Sequence, residues 1–304
     1  MPLFYSVLIR AGLKPALWLG PQRADRNNSK PPLFVPVCAR GSLARYAPFI
    51  ASFDNQRMSR RVRIDRLLVE RGLFESRAKA QTAIAARRVR VDEVVVEKPS
   101  EEISADAVLR AEPAHPYVSR GGVKLAAALD RFRSDPSFDP RGRVCLDVGV
   151  STGGFTEVLL ARGARRVYAV DVGRGQLHRS LRTRPEIVCM EATDVRRLDP
   201  TRFAERPDFV IIDVSFISLK SVLPPALALA RSPASLIALI KPQFEAGRRR
   251  MKGGILRDAR VHAAVCDDIA AFVTSCGWRV VGIEPSAIPG GDGNREFFIA
   301  AHAG

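Results

Sequence analysis

Asp147-Val148-Gly149-Val150-Ser151-Thr152-Gly153-Gly154-Phe155-Thr156 is the stretch on which the fold turns. It follows an apolar run, Val144–Asp147, and opens a helical pattern. A strand that passes through a glycine-rich turn into a helix is where an open α/β sheet binds its ligand, and the glycines let a bound molecule approach the backbone. The spacing is not G-x-G-x-x-G, which disfavours a dinucleotide. Outward from this stretch, strand-like runs recur at Val167–Val170, Phe209–Ile212 and Leu236–Ile240, separated by helical segments. Such alternation predicts an α/β fold with a parallel sheet covered by helices. Arg279–Glu284 and Glu296–Ala300 would close the sheet as an edge pair.

Asp171 ends the strand after the glycine-rich turn, where acidic residues of such folds accept hydrogen bonds from ribose hydroxyls. Four further motifs fall near strand ends: Ser119-Arg120-Gly121-Gly122-Val123-Lys124-Leu125, Ile212-Asp213-Val214-Ser215-Phe216-Ile217-Ser218-Leu219, Ile240-Lys241-Pro242-Gln243-Phe244-Glu245 and Asn294-Arg295-Glu296-Phe297-Phe298. Lysines and carboxylates at the ends of buried strands serve solubility poorly. On the ligand-binding edge of a sheet they point to chemistry, ahead of a structural ion-pair cluster.

The 304 residues carry 48 Lys and Arg against 32 Asp and Glu, a formal charge of +16, which calls for a polyanionic partner. Nucleic acid fits better than membrane, because no apolar run approaches the ~20 residues of a spanning helix. The apolar opening Leu3–Ile9 has no basic residue before it and is cut short by Arg10, so it does not read as a secretory segment. Five cysteines without C-x-x-C spacing indicate neither a zinc site nor a disulfide framework, and a reducing, cytoplasmic location is expected. Residues 1–57 hold no sustained period and read as a disordered extension or a mis-assigned start ahead of Met58, with an organelle transit peptide as the rival.

From Met58 to Arg90 there are ten basic and three acidic residues. Leu67, Leu68 and Leu73, then Ala80 and Ile84, predict two short helices, with Gly72 as a stop and Ser76 as the next N-cap. Val89–Val96 alternates as strands about a tight turn. Arg63, Arg66, Arg77, Lys79, Arg87 and Arg88 cluster around a helix start at Ser76, a combination suited to phosphates. Arg248, Arg249 and Arg250, flanked by glycines, read either as a surface loop or as a mobile RNA clamp.

The segment 58–118 resembles an S4-type RNA-binding domain through Arg63-x-Asp65-x-Leu67-Leu68, Gly72-Leu73-x-x-Ser76-Arg77-x-x-Ala80 and Val89-x-Val91 leading to Lys98-Pro99. It departs from that pattern at Arg87, where a glycine is usual, and at Asp92-Glu93, which replaces an Asn-Gly turn. A left-handed Arg87 would cost roughly 1 kcal/mol relative to glycine. The segment 119–304 looks like a Rossmann-like class I methyltransferase. The resemblance puts S-adenosylmethionine against Asp147, Gly149, Ser151, Thr152, Gly153, Gly154, Phe155 and Asp171. It also puts Asp194 near the adenine, where a plain helix N-cap is the equal alternative.

From about Arg60 onward the chain is similar to the TlyA, or haemolysin A, family of ribosomal RNA 2′-O-methyltransferases, within the FtsJ-like group. The resemblance implies a Lys-Asp-Lys-Glu tetrad of Lys124, Asp213, Lys241 and Glu296, with ribosomal RNA or ribosomal subunits as partner and cytidine riboses as target. Methyl transfer to a weakly acidic hydroxyl needs a nearby base, and Lys241 is the expected one, with Lys124 as like-charge neighbour and Asp213 and Glu296 as orienting groups; no metal is called for. The competing readings are a catalytically silent RNA-binding or ribosome assembly factor, a small-molecule methyltransferase, and a haemolysin-like membrane-active protein.

Overall fold

The computed structural model describes residues 60–247 and 254–304, so the expectations for residues 1–57 and for Arg248, Arg249 and Arg250 lie outside the described residues. The N-terminal module begins with β1 (Arg61–Arg63), which pairs antiparallel with β4 (Glu102–Ser104). Two short helices follow, α1 (Ile64–Glu70) and α2 (Arg77–Ala85), separated by Gly72 at φ +71° and capped at Ser76, whose hydroxyl accepts from Lys79 N. Ile64, Leu67, Leu68, Ala80, Ala83 and Ile84 form the apolar interior of the module, as the spacing predicts; Leu73 is the exception and stands exposed. The strand β2 (Val89–Val91) pairs with β3 (Val94–Val95) and with β5 (Leu109–Ala111).

Both departures from the S4 pattern keep the backbone that glycine would have favoured. Arg87 has φ +57°, and Asp92 and Glu93 have φ +47° and +68°. Two positive φ values in a two-residue hairpin turn match the right-handed twist of the strands, and Asp92 Oδ1 secures the turn by accepting from Val108 N at 3.0 Å.

The larger part is a seven-stranded sheet in the order β11-β12-β10-β9-β6-β7-β8. Its parallel strands are β6 (Val144–Val148), β7 (Arg166–Val170), β8 (Ile187–Met190), β9 (Phe209–Ile212) and β10 (Ala234–Ile240). The strands β11 (Arg279–Pro285) and β12 (Phe297–Ala303) add antiparallel beyond β10, with β12 inside and β11 at the edge. On one face α3 (Arg120–Arg131) and α4 (Gly154–Ala161) pack over Cys145, Phe209, Ile237 and Phe298. On the other, α5 (Leu223–Leu229) and α6 (Ala259–Ser275) cover Leu146, Val210, Leu236 and Ile299. The chain runs from β6 outward to β7 on one side and later returns to β9 on the other, so the topological switch point lies between the carboxyl ends of β6 and β9.

Candidate active site

At that switch point Gly149, φ +87°, lies so close to β9 that a Cβ would sit 2.1 Å from the Asp213 carbonyl oxygen. Gly153, φ +95°, starts α4, and a Cβ there would meet Leu181 Cδ1 at 2.4 Å; one on Gly154 would meet Ser119 Oγ at 2.3 Å. Each of these glycines is also required by protein packed against the loop, independently of any ligand that approaches its backbone. What remains open is a cleft of about 720 Å³, lined on the sheet side by Ser151, Thr152, Phe155, Lys124 and Asp213. The N-terminal module completes the lining with Leu73, Phe74 and Ala78 beside the polar Glu75, Lys79 and Thr82.

The resemblance assigns three carboxylates to the cofactor. Asp147 is fully buried in β6 beneath the glycine loop, bonded by Thr156 Oγ1 at 2.6 Å through one oxygen, while its other oxygen has no partner among the described residues. Burial pushes its carboxyl up to about 7, against the Thr156 bond and aided by the charges of Asp213 and Asp171. Asp171 ends β7 and accepts from Ser151 N at 2.8 Å and Gly173 N at 2.7 Å, which fixes its carboxylate beside the loop. Asp194 takes the cap alternative: it accepts from Arg196 N at 3.0 Å, starts a short 3-10 turn, and pairs with the Arg196 guanidinium at 2.6 Å. The Arg196 bond in particular holds the Asp194 carboxyl low, and nothing in the structure directs it toward the cleft.

The predicted tetrad assembles as two ion pairs. Lys124, on the first turns of α3, donates to Glu296 Oε2 at 2.5 Å, with both side chains almost wholly buried. Lys241, at the end of β10, lies 2.5 Å from Asp213 Oδ1 and donates to Ser215 Oγ at 2.8 Å. The register explains the gathering. Asp213 and Lys241 follow adjacent parallel strands, and Ile240 faces Phe297 across β10 and β12, which brings Glu296 to the same edge.

The structure also shows what sequence reasoning misses around these groups. Glu245 accepts from Ser218 Oγ at 2.6 Å and Leu219 N at 2.7 Å, tying the motif after β10 to the motif after β9. Between the anchors Ser215 and Ser218 the backbone arches outward, leaving Phe216 at φ +65° and 91% exposed, its ring centroid 5.2 Å from that of Phe244. A large aromatic held in a strained conformation in solvent is poorly explained by folding. The signal lies in Asp213-Val214-Ser215-Phe216, but an apolar residue beside a strand end reads as core. Asn294, buried, donates to Gly254 O and accepts from Leu256 N, anchoring the chain beyond the basic loop next to Glu296.

In the N-terminal module each charged residue predicted to bind phosphate has an acidic partner. Arg63 and Arg77 converge on Asp65, which is fully buried in the first turn of α1 and also accepts from Gln81. Burial alone would raise that carboxyl; the bonds from Arg63, Arg77 and Gln81 hold it well below the carboxylate range. Arg66 pairs with Glu70, Lys79 with Glu75, Arg87 with Glu97 and Arg88 with Glu112. The sequence places Asp65 inside a motif; only the structure makes it the keystone of two arginines.

Comparison with known proteins agrees with this division. Residues 117–303 match the family model of FtsJ-like methyltransferases, and residues 62–109 match that of the S4 domain. The chain is 43% identical over 245 residues to the 16S/23S rRNA (cytidine-2′-O)-methyltransferase TlyA of Mycobacterium tuberculosis, covering 80% of this chain and 90% of that one. It is 35% identical to Hemolysin A of Brachyspira hyodysenteriae, covering 78% and 98%. A solved structure of a hemolysin-named protein from Streptococcus thermophilus superposes with a TM-score of 0.64 at 38% identity, covering 81% and 89%. Among the described residues no helix is long and apolar enough to cross a membrane. With a glycine loop at the switch point, two lysine–carboxylate pairs beside it and a basic module in front, the chain belongs to the FtsJ-like methyltransferases and, within them, to the TlyA family.

Proposed function

We propose that this chain transfers a methyl group from S-adenosylmethionine to a ribose 2′-hydroxyl of ribosomal RNA, at a cytidine, as the names of its TlyA relatives state for them. The observation that carries the reading is the pairing of Lys241 with Asp213 and of Lys124 with Glu296, with Lys124 and Asp213 lining one cleft. The division of labour follows the chain: 58–118 holds RNA and 119–304 performs the transfer.

S-adenosylmethionine, when bound, supplies an electrophilic methyl on a sulfonium. The residues present fit it: Asp171 and Asp213 bring carboxylates to the loop, and Asp147, buried beneath it, keeps an oxygen without a partner among the described residues, which suits a ligand bearing sulfonium and ammonium charges. Ser151 and Thr152 present the loop to the cleft, and Asp171 is oriented by two backbone N–H groups.

Lys241 is the proposed base. As the amine, Nζ takes the proton of the 2′-hydroxyl, and Asp213 at 2.5 Å stabilises the ammonium that forms, while Ser215 fixes the direction of approach. That carboxylate also opposes the amine before the step, so the pair works only if the hydroxyl displaces part of it. Lys124, locked by Glu296, positions the hydroxyl or its phosphate neighbour. Phe216 is placed to stack on a base lifted from its helix, since any base offers a face to an exposed ring. Mapping 2′-O-methylation in ribosomal RNA from cells with and without the gene tests the whole reading; identical maps would leave an RNA-binding or assembly factor.

A further inference from the structure

The segment Gly175–Arg182 does not carry any residue of the tetrad, yet it is built with unusual care. The Glu191 carboxylate accepts from Gly175 N, Gln176 N and Leu177 N at 2.9, 2.7 and 2.9 Å and pairs with Arg182 at 2.9 Å. Leu177 and Leu181 fill the space beside Gly153, within 2.7 and 2.4 Å of where its Cβ would be. His178 N donates to Thr152 O at 3.1 Å, so this segment holds the cleft-facing end of the loop by a direct backbone bond.

The outer side of His178 is held from the N-terminal module. Its Nδ1 accepts from Ser180 N at 3.3 Å, which leaves the proton on Nε2, and Nε2 lies 3.1 and 3.2 Å from the two Glu75 oxygens. Arg179 reaches the same carboxylate at 3.2 Å, and Lys79 at 2.6 Å. Glu75 sits in the turn between α1 and α2 and has three cationic or N–H partners, two of them from the methyltransferase part. The Lys79 and His178 bonds hold its carboxyl down to about 2, so it keeps its charge throughout the working range.

We propose that Glu75 is a positioning residue for the cofactor loop: reaching across the cleft from the RNA module, it fixes His178 and thereby Thr152, coupling the seating of that module to S-adenosylmethionine affinity. Since coupling is reciprocal, whatever factor the seated module adds to cofactor affinity the cofactor returns to the seating of the module. The inference rests on the loop at Gly149–Gly154 being the cofactor site. An ion pair as exposed as Glu75 contributes modestly, so a two- to fivefold effect on affinity is the expected size.

The test uses the full chain, calorimetric titration with S-adenosylmethionine, and amide exchange without ligand. Glu75→Gln should weaken S-adenosylmethionine two- to fivefold and speed exchange of the His178 amide. Adding it to His178→Ala should cost nothing further, because the two act through one contact. His178→Gln, which keeps a side-chain N–H toward Glu75, should restore most of the affinity. Unchanged affinity and exchange in Glu75→Gln, or losses that add in the double variant, would overturn the proposal. An Asp171→Ala control separates the two levels: if it abolishes binding while Glu75→Gln does nothing, the latch alone fails, and if it leaves binding intact, the site reading fails and the latch with it.

Discussion

The methyltransferase crevice and the RNA module are both built from pairs of opposite charge, and they differ in how much water reaches them. Lys124 and Glu296 have side chains 10% and 3% exposed, whereas Arg66 and Glu70 are 61% and 40% exposed. A buried pair cannot trade its partner cheaply, because the group left behind loses both its counter-charge and its solvent. An exposed pair contributes at most ~1 kcal/mol, so an RNA phosphate competes for the arginine on even terms. The crevice is therefore preorganised, and under the proposed function the module's cations are on loan to local carboxylates. Asp65 is the intermediate case, a buried acid holding two half-exposed arginines.

Replacing Lys241 by arginine breaks the comparison at its most sensitive point. Arginine keeps the pair with Asp213 and the charge but cannot release a proton near neutral pH. S-adenosylmethionine and RNA binding should stay near wild type while the single-turnover rate falls at least ~100-fold, the usual range for loss of a general base. Near-normal turnover would mean that the pair serves as a fixed charge and that the base lies elsewhere, with Lys124 the next to test.

Phe216→Ala removes an aromatic that has little packing to lose. Stacking of a base on such a ring contributes ~1–3 kcal/mol, so kcat/KM on ribosomal RNA should fall roughly 5- to 150-fold with Tm unchanged. A fall in Tm with intact kcat/KM would return Phe216 to the structure of its loop.

What the sequence alone makes legible divides along the same line. The parallel strands, the glycine turn and the tetrad are visible because buried strands demand continuous apolar runs, and a lysine after Ile240 or an aspartate after Ile212 breaks them conspicuously. The pairing within the tetrad is not, since it depends on the register of β10 against β12. Nor are all the acidic partners of the module's arginines: Glu97 faces Arg87 across the predicted hairpin, but Glu112 lies 24 residues from Arg88 and meets it only because β5 pairs with β2. The glycines point to the right place, but sequence shows the need for close approach without saying what approaches.

Arg63→Ala combined with Arg77→Ala strips Asp65 of two donors while it stays buried. The module should lose about 1–3 kcal/mol of stability, measured by denaturant unfolding, before any effect on phosphate binding is counted. If stability is unchanged and only the salt dependence of RNA binding flattens, by about 0.7–0.9 for each phosphate no longer neutralised, the two arginines belong with the exchangeable pairs.

Asp147 offers a pH test of the crevice. Its carboxyl keeps a proton up to about 7 in the folded chain but ionises near ~4 when unfolded, so the native state binds more protons over that window. Stability should fall as pH rises through it. Asp147→Asn, which can still accept from Thr156, should flatten that dependence and raise Tm most above pH 7. An equal change in Tm at pH 5 and pH 8 would show that the carboxyl ionises normally.

The smallest expected effect sharpens the comparison most directly, because it asks whether the module's cations really are on loan. Glu70→Gln removes the partner of Arg66 without touching the arginine, the helix or the interior: both side chains are largely exposed, and the pair is an i,i+4 contact on α1. Such a pair gives only ~0.3–0.5 kcal/mol, so stability should barely move. If a phosphate must displace Glu70 to reach Arg66, that same energy is returned on binding, and RNA affinity should rise about twofold, with the gain shrinking as salt screens both interactions. The corresponding Glu296→Gln change in the crevice should do the opposite, lowering activity by leaving Lys124 without its buried partner. A Glu70→Gln variant that binds RNA more weakly than wild type would show that Glu70 holds Arg66 in its binding geometry, and that the module is preorganised in the same sense as the crevice.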